Sequence, residues 1–271
     1  FIENHAGIIG GAVSISNSGI PLVRNNKFIG NVSPLGGALV LGAVGDGFYE
    51  RNVFSENSAD YGGAIYVSDC SAFFSQNTIT NNSAVYEGDG IYSVADAIPS
   101  IQNNNILANG EGLFNASQST LLHAPNNYWG SPSGAYHGVY NTSGLGDTAS
   151  MFTNPTPFLS EPNLVAPPIP IQNVEVTDSG NDFISISWES SPLQDLDSYR
   201  LYYGTDTTQY TYANSIDLQD LATEYTVDGL SLATTYYFSV TCIDTADNES
   251  WYSMRATGVT RVIEVQNLDI A

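Results

Sequence analysis

The stretch Asn52-Val53-Phe54-Ser55-Glu56-Asn57, followed by Gly62-Gly63-Ala64-Ile65, decides the fold. It recurs upstream as Asn26-Lys27-Phe28-Ile29-Gly30-Asn31 with Gly36-Gly37-Ala38-Leu39. Downstream it returns as Asn77-Thr78-Ile79-Thr80-Asn81-Asn82 with Gly88-Asp89-Gly90-Ile91. A further copy is Asn104-Asn105-Ile106-Leu107-Ala108-Asn109 with Gly110-Glu111-Gly112-Leu113. Half a copy opens the chain in Phe1, Asn4 and Gly10-Gly11-Ala12-Val13. A period near 26 residues, from Asn26 to Asn52 to Asn77 to Asn104, is that of a stacked supersecondary unit. A helical unit would repeat its apolar residues every three or four positions over a dozen residues. Instead they alternate in short runs, as in Val13-Ser14-Ile15, Leu39-Val40-Leu41 and Ile65-Tyr66-Val67. Glycine and asparagine separate the runs, and both tolerate the left-handed backbone of tight corners. Short strands joined by such corners describe the coils of a parallel β-helix, which bury a common core only when stacked.

Aligning the copies gives ladders. One apolar ladder is Phe1, Phe28, Phe54, Ile79 and Ile106; a second is Val13, Leu39, Ile65, Ile91 and Leu113. An asparagine ladder is Asn4, Asn31, Asn57, Asn82 and Asn109. Side-chain amides stacked at the strand spacing of about 4.8 Å can hydrogen-bond from coil to coil. Seventeen of the 25 asparagines lie before residue 128, which makes their enrichment architectural. About five coils are expected over residues 1–153. The pattern resembles the right-handed parallel β-helix superfamily, and most closely the asparagine- and glycine-rich repeats of bacterial surface adhesins. Asn126-Asn127-Tyr128-Trp129-Gly130-Ser131-Pro132-Ser133-Gly134 is similar to a motif that commonly ends such helices.

The pattern then changes. Prolines at 155, 157, 167, 168 and 170 mark residues 154–169 as a semi-rigid linker. Short alternating strands follow, such as Phe183–Trp188, Tyr199–Gly204 and Tyr236–Val240, and predict an all-β sandwich over 170–260. This region resembles a fibronectin type III domain. Trp188 stands where that family has its buried tryptophan, and Leu230–Tyr236 resembles its tyrosine corner, with Ala233 in place of a frequent glycine. Residues 261–271 alternate apolar and polar, as a linker or an additional strand would. Because Phe1-Ile2-Glu3-Asn4 already belongs to a repeat, a processed chain or a fragment is expected.

Charge narrows the function. The 271 residues carry 28 acids against 6 bases, a formal charge of −22. Such a surface repels phosphate backbones, so nucleic-acid binding is excluded. No apolar run is long enough for a membrane-spanning helix. Three bases face eleven acids before residue 161, and three face seventeen after it.

The β-helix superfamily includes polysaccharide lyases and hydrolases, whose chemistry needs a cationic environment and a base, or clustered acids. Only Arg24, Lys27 and Arg51 are basic in the solenoid half, and Glu3 and Glu50 are expected as their ion-pair partners. Asp89 is isolated, and His5, His123 and His137 have no metal-ligand spacing and read as surface or corner residues. Cys70 and Cys242 read as buried, unpaired thiols. Calcium ligands could come from Asp195, Asp197, Asp244 and Asp247, but solvated loop acids are the preferred reading of them. No cofactor is expected. Asn-x-Ser/Thr sequons at Asn31, Asn81, Asn115, Asn141 and Asn248 read as by-products of composition.

One outward feature remains. If Ile65, Val67 and Ile91 point inward, Tyr66 and Tyr92 point outward and stack, forming a candidate contact face for a sugar or a protein. The expectation is a non-enzymatic, secreted or cell-surface structural protein that self-associates into a filament or surface layer. In that reading the open β-helix end stacks on another copy or accepts a strand such as 261–271. The alternatives are an adhesin or carbohydrate-binding protein using Tyr66 and Tyr92, and a fragment of a polysaccharide-active enzyme whose catalytic coils lie upstream.

Overall fold

The computed structural model describes residues 1–16, 19–43, 47–94 and 97–261. The chain divides into two compact units, Phe1–Pro167 and Pro168–Ala271. The expected extra strand at 261–271 lies, from residue 262 onward, outside the described residues.

The first unit is a parallel β-helix. Strands Lys27–Ile29, Val53–Ser55, Thr78–Thr80 and Asn105–Leu107 stack in one sheet, with Phe28 on Phe54, Phe54 on Ile79 and Ile79 on Ile106. Strands Leu22–Arg24, Phe48–Glu50, Phe73–Ser75 and Ser100–Gln102 form a second sheet. A third, seven-stranded sheet begins with Val13–Ser16, Leu39–Gly42, Ile65–Ser68, Ile91–Ser93 and Glu111–Asn115. Its register places Val13, Leu39, Ile65, Ile91 and Leu113 in one column, as the repeat alignment predicts. A short fourth face pairs Ser58–Tyr61 with Ser83–Glu87. The two four-stranded sheets mark about four full turns, slightly fewer than the five expected; bridges from Ile2, His5 and Ile9 add a partial first turn.

The corners show how the sequence closes each coil. The residue just before every ladder asparagine is left-handed: Glu3, Gly30, Glu56, Asn81 and Ala108 on one edge, and Asn25, Arg51, Gln76, Asn103 and Asn126 on the other. The asparagines hold the corner through their side chains, and the residue before them takes the strained backbone, whatever its type. The double glycines have a different cause. Gly36 and Gly62 have φ near +60°, and a Cβ on Gly37 would sit 2.1 Å from the carbonyl oxygen of Gly63 in the next coil. Two coil backbones pass too closely there for any side chain.

The second unit is an antiparallel sandwich. One sheet holds Glu175–Ser179, Ile184–Ser187 and Glu224–Val227; the other holds Asn214–Leu218, Leu196–Gly204, Thr235–Asp244 and Ala256–Val259. Inward residues alternate along the strands, so Ile184, Ile186, Leu201, Phe238, Val240 and Cys242 are fully buried between the sheets.

The proline-rich stretch does not behave as a free linker up to residue 167. Thr153–Asn154 pairs with Leu122–His123, Asn126 donates to the Pro157 carbonyl, and Leu159 N–H donates to the Asn127 carbonyl. Further on, the Asn163 backbone and side chain bond Asn105 and Asn103, and the Thr78 hydroxyl donates to the Pro167 carbonyl at 2.5 Å. Proline lacks an N–H but keeps its carbonyl, so this stretch can still bind the solenoid as a hydrogen-bond acceptor.

Candidate functional site

Two buried asparagine ladders run the length of the solenoid. In the expected one, the Asn31 backbone N–H and side-chain amide both donate to Asn57 Oδ1, at 3.0 and 2.8 Å, and Asn57 does the same to Asn82 and Asn82 to Asn109. Each amide also donates backward, as Asn57 does to the Phe28 carbonyl. The second ladder, Asn26, Asn52, Asn77, Asn104 and Asn127, follows the same rule. These residues set the period in the sequence, but their side-chain role was legible only once the coils were stacked. The terminating motif acts through Asn127, which closes the second ladder, and through Trp129, which is fully buried in the core.

The first ladder ends differently. Asn109 N–H and its side-chain amide donate to Asp147, and so does Gly110 N–H. Asp147 is only 8% exposed, and burial pushes its carboxyl above the usual range although these hydrogen bonds pull it down. Nothing in the repeat pointed to it, because 38 residues separate it from Asn109.

The charged groups are spent on architecture. Arg24 pairs at 2.5 Å with Glu50, 26 residues further along the chain, and Arg51 donates to Gln76. Glu3 is instead a left-handed corner residue. Asp89 accepts from Ala84 N–H at 2.7 Å and from Glu111 N–H at 2.9 Å, while Glu111 accepts from Gly88 N–H at 2.7 Å. Burial raises the Glu111 carboxyl, against the pull of the Gly88 bond. His5 and His123 are exposed, whereas His137 is fully buried inside a turn, a corner position and not a surface one. Its Nδ1 accepts from Val139 and Tyr140 N–H, so the ring proton sits on Nε2 and points at the Ser150 carbonyl. The imidazole is the peg around which that turn is built.

Tyr66 and Tyr92 stack as expected, with centroids 5.4 Å apart, and Phe114 extends the stack by another 5.4 Å. Tyr61 meets the edge of Tyr92 and stacks on Tyr86, which is 65% exposed. Burial, with Asp69 adding to it, pushes the Tyr66 hydroxyl up. Tyr92 has a ring on each side, so a sugar ring finds no free face there. The exposed ring of this ribbon is Tyr86, which the alternation rule missed because a β-bulge shifts its strand between Ala84 and Glu87. Beside it, a shallow groove of about 430 Å³ crosses the coils, lined by His5, Val32, Ser58, Asp60, Ser83 and Val85 among others.

In the sandwich, Trp188 is buried and meets Tyr199 edge-on at 5.7 Å. The Tyr236 hydroxyl accepts from Ser231 N–H at 3.0 Å, which is the tyrosine corner. Ala233 in that corner has φ +51°, which is why glycine is frequent there. Asp244 accepts from Ala246 and Asn248 N–H and from the Asn248 amide, so its oxygens are committed to its own turn. Among the described residues no group of three or more His, Cys, Asp or Glu gathers to hold a metal. Cys70 and Cys242 are buried and not joined by a disulfide, and burial raises the Cys242 thiol. Outside the sandwich core, Tyr202, Tyr210, Tyr212, Trp251 and Tyr252 pack on one another, and Arg200 pairs with Asp217 and with Glu249.

Comparison with known proteins fits this geometry. The family described as "Right handed beta helix region" matches residues 2–146, and "Fibronectin type III domain" matches residues 169–256. No curated protein matches the chain. Similar solved structures include a titin segment (21% identity, 35% of this chain and 33% of that one, TM-score 0.29). The FN1–FN3 domains of chicken CNTN1 are similar too (18%, 35% and 31%, TM-score 0.31). So is an Fn3-like protein from Clostridium thermocellum (20%, 38% and 100%, TM-score 0.30). The chain spans about a third of the length of the titin and CNTN1 structures. The β-helix superfamily includes polysaccharide-active enzymes, and the pairing with a fibronectin type III domain is consistent with extracellular structural or adhesin-like proteins. The chain belongs to the right-handed β-helix family, and a fibronectin type III domain follows its solenoid in sequence.

Proposed function

We propose that this chain is a non-catalytic structural module of an extracellular or cell-surface protein, whose solenoid offers a lateral contact face to a partner. The supporting observation is the aromatic ribbon of Tyr61, Tyr66, Tyr86, Tyr92 and Phe114 on rigid, stacked strands. Pre-stacked rings lose little freedom on binding, which favours contact. The ribbon presents ring edges and hydroxyls along most of its length, which suits a protein surface; a glycan would stack on Tyr86. The charged side chains of the solenoid support the non-catalytic reading, because Arg24, Asp89, Glu111 and Asp147 each bond a neighbouring coil or corner.

The test is capture of the chain on immobilised glycans and extracellular-matrix proteins, alongside Tyr86→Ala and Tyr66→Ala variants. Saturable capture weakened at least about ten-fold by Tyr86→Ala supports the reading. Capture that ignores both substitutions, or release of unsaturated sugars from a uronate polymer, overturns it.

Self-association is a second reading. Phe1, Ile2 and Ile9 are exposed on the first turn, where Phe1 stacks on Phe28 with one face. An edge of this kind can pair with a further coil, and in this reading another copy supplies it. Sedimentation over rising concentration separates the two: growing mass supports self-association, and a constant single-chain mass removes it.

A further inference from the structure

The solenoid has a step in one face. The corner glycine comes five or six positions after the ladder asparagine in four successive copies: Asn4 to Gly10, Asn31 to Gly36, Asn57 to Gly62, and Asn82 to Gly88. In the next copy Gly110 follows Asn109 directly. The strand that would lie on Ser83–Glu87 is therefore absent from that turn. Ser83–Glu87 pairs with Ser58–Tyr61 on one side and has no strand on the other among the described residues. It is an edge strand in the interior of the coil stack, and Val85 and Tyr86 stand on it at 70% and 65% exposure.

Carboxylates take the place of the missing backbone. Asp89 Oδ1 accepts the Ala84 N–H, Asp89 Oδ2 accepts the Glu111 N–H, and Glu111 Oε2 accepts the Gly88 N–H. Asp147 holds Asn109 and Gly110 just beyond, and Glu87 ends the edge strand. No salt bridge reaches these acids among the described residues. Arg24 is paired with Glu50 and Arg51 is bonded to Gln76. What the step offers is a run of acceptors and negative charge beside two exposed apolar side chains.

We propose that the step docks an extended basic segment of a partner protein, which adds to Ser83–Glu87 as one further strand. Strand addition supplies the N–H donors that an edge needs, and alternate side chains fall on opposite faces. Lysines or arginines on one side of such a segment meet Glu87, Asp89 and Glu111, while apolar residues on the other cover Val85 and Tyr86. Charge decides against the chain's own C-terminal residues as occupant, because they carry Glu264 and Asp269. The segment needs about five residues to match the edge strand at the usual rise per residue.

A fluorescent peptide of about nine residues, alternating lysine with valine and threonine, tests this against the full chain by anisotropy. The control peptide carries glutamate in place of lysine. Two variants add the same charge at exposed apolar positions, Val85→Lys on the edge strand and Leu145→Lys away from it; Leu145 is 84% exposed. The expected result is saturable binding of the lysine peptide only, weakened at least about ten-fold by Val85→Lys and less than about two-fold by Leu145→Lys. Hydrogen exchange should slow at residues 83–87 on binding. Should Val85→Lys fail to fold, Tyr86→Ser replaces it with the same expected loss. Equal weakening by the two lysine variants, binding of the glutamate peptide, protection elsewhere, or a Val85-dependent dimer without peptide binding would each overturn the proposal.

Discussion

The two units solve the same problem, the burial of polar backbone, in opposite ways. The sandwich pairs its strands antiparallel and fills the space between sheets with Ile184, Leu201, Phe238 and Val240. Its polar devices are separate and local: the Tyr236 hydroxyl satisfies the Ser231 N–H at a corner, and the Ser253 hydroxyl satisfies the Val240 N–H. The solenoid buries whole columns of side-chain amides, and each asparagine serves the coil before it and the coil after it. A repeat architecture distributes its stability over nearest-neighbour interfaces. Loss of one rung therefore strands donors and acceptors on both sides, whereas loss of one sandwich contact leaves a local defect.

The largest expected effect lies in the ladder. Asn57→Ala removes the acceptor for two Asn31 donors and the donor to Phe28 and Asn82. Buried groups left without partners cost about 1–3 kcal/mol each, so with four affected a loss of at least about 5 kcal/mol in denaturant titration of the solenoid is expected. In the sandwich, Phe238→Ala should cost about 3–5 kcal/mol by leaving a cavity, and its effect should stay within residues 168–261 when followed by hydrogen exchange. Tyr236→Phe, which removes only the corner hydroxyl, should cost about 1 kcal/mol in the same titration. Ala233→Gly relieves a left-handed alanine and should raise sandwich stability by about 0.5–1 kcal/mol.

The ladder terminus also predicts a pH response. Burial holds the carboxyls of Asp147 and Glu111 above their ordinary values. The folded solenoid therefore binds these protons more tightly than the unfolded chain. The contribution of these two groups to stability is fully present below the ordinary carboxylate value of about 4 and is lost as pH rises through the raised values. Asp147→Asn, which keeps an acceptor but does not titrate, should flatten that decline in thermal melts recorded across pH. The same variant leaves the sandwich unchanged.

Much of this was readable in the residues. The columns Phe28, Phe54, Ile79, Ile106 and Asn31, Asn57, Asn82, Asn109 have the register that the alignment gives, because a solenoid repeats one local solution and the repeat is visible as spelling. Trp188 and Tyr236 were equally legible, each tied to one corner or one core position. What escaped were the departures from the repeat. Asp147 closes a ladder after a 38-residue detour, so no spacing marks it. Tyr86 is exposed because a bulge breaks alternation, and Tyr61 and Phe114 join the ribbon only when the coils are stacked. Residues 154–167 look like a spacer by composition, yet their carbonyls and Asn163 are bound to the solenoid. Tyr66 and Tyr92 stack as the alternation predicts, but the most exposed ring of the ribbon, Tyr86, lies beside them.

The central claim is that buried asparagine ladders, more than the apolar columns alone, hold the coils together. Hydrogen exchange on Asn57→Ala under native conditions tests it most directly. The account predicts that protection across the strands at 27–29, 53–55 and 78–80 falls by about a hundred-fold or more while the sandwich strands keep theirs. Unchanged protection in those three strands would contradict it.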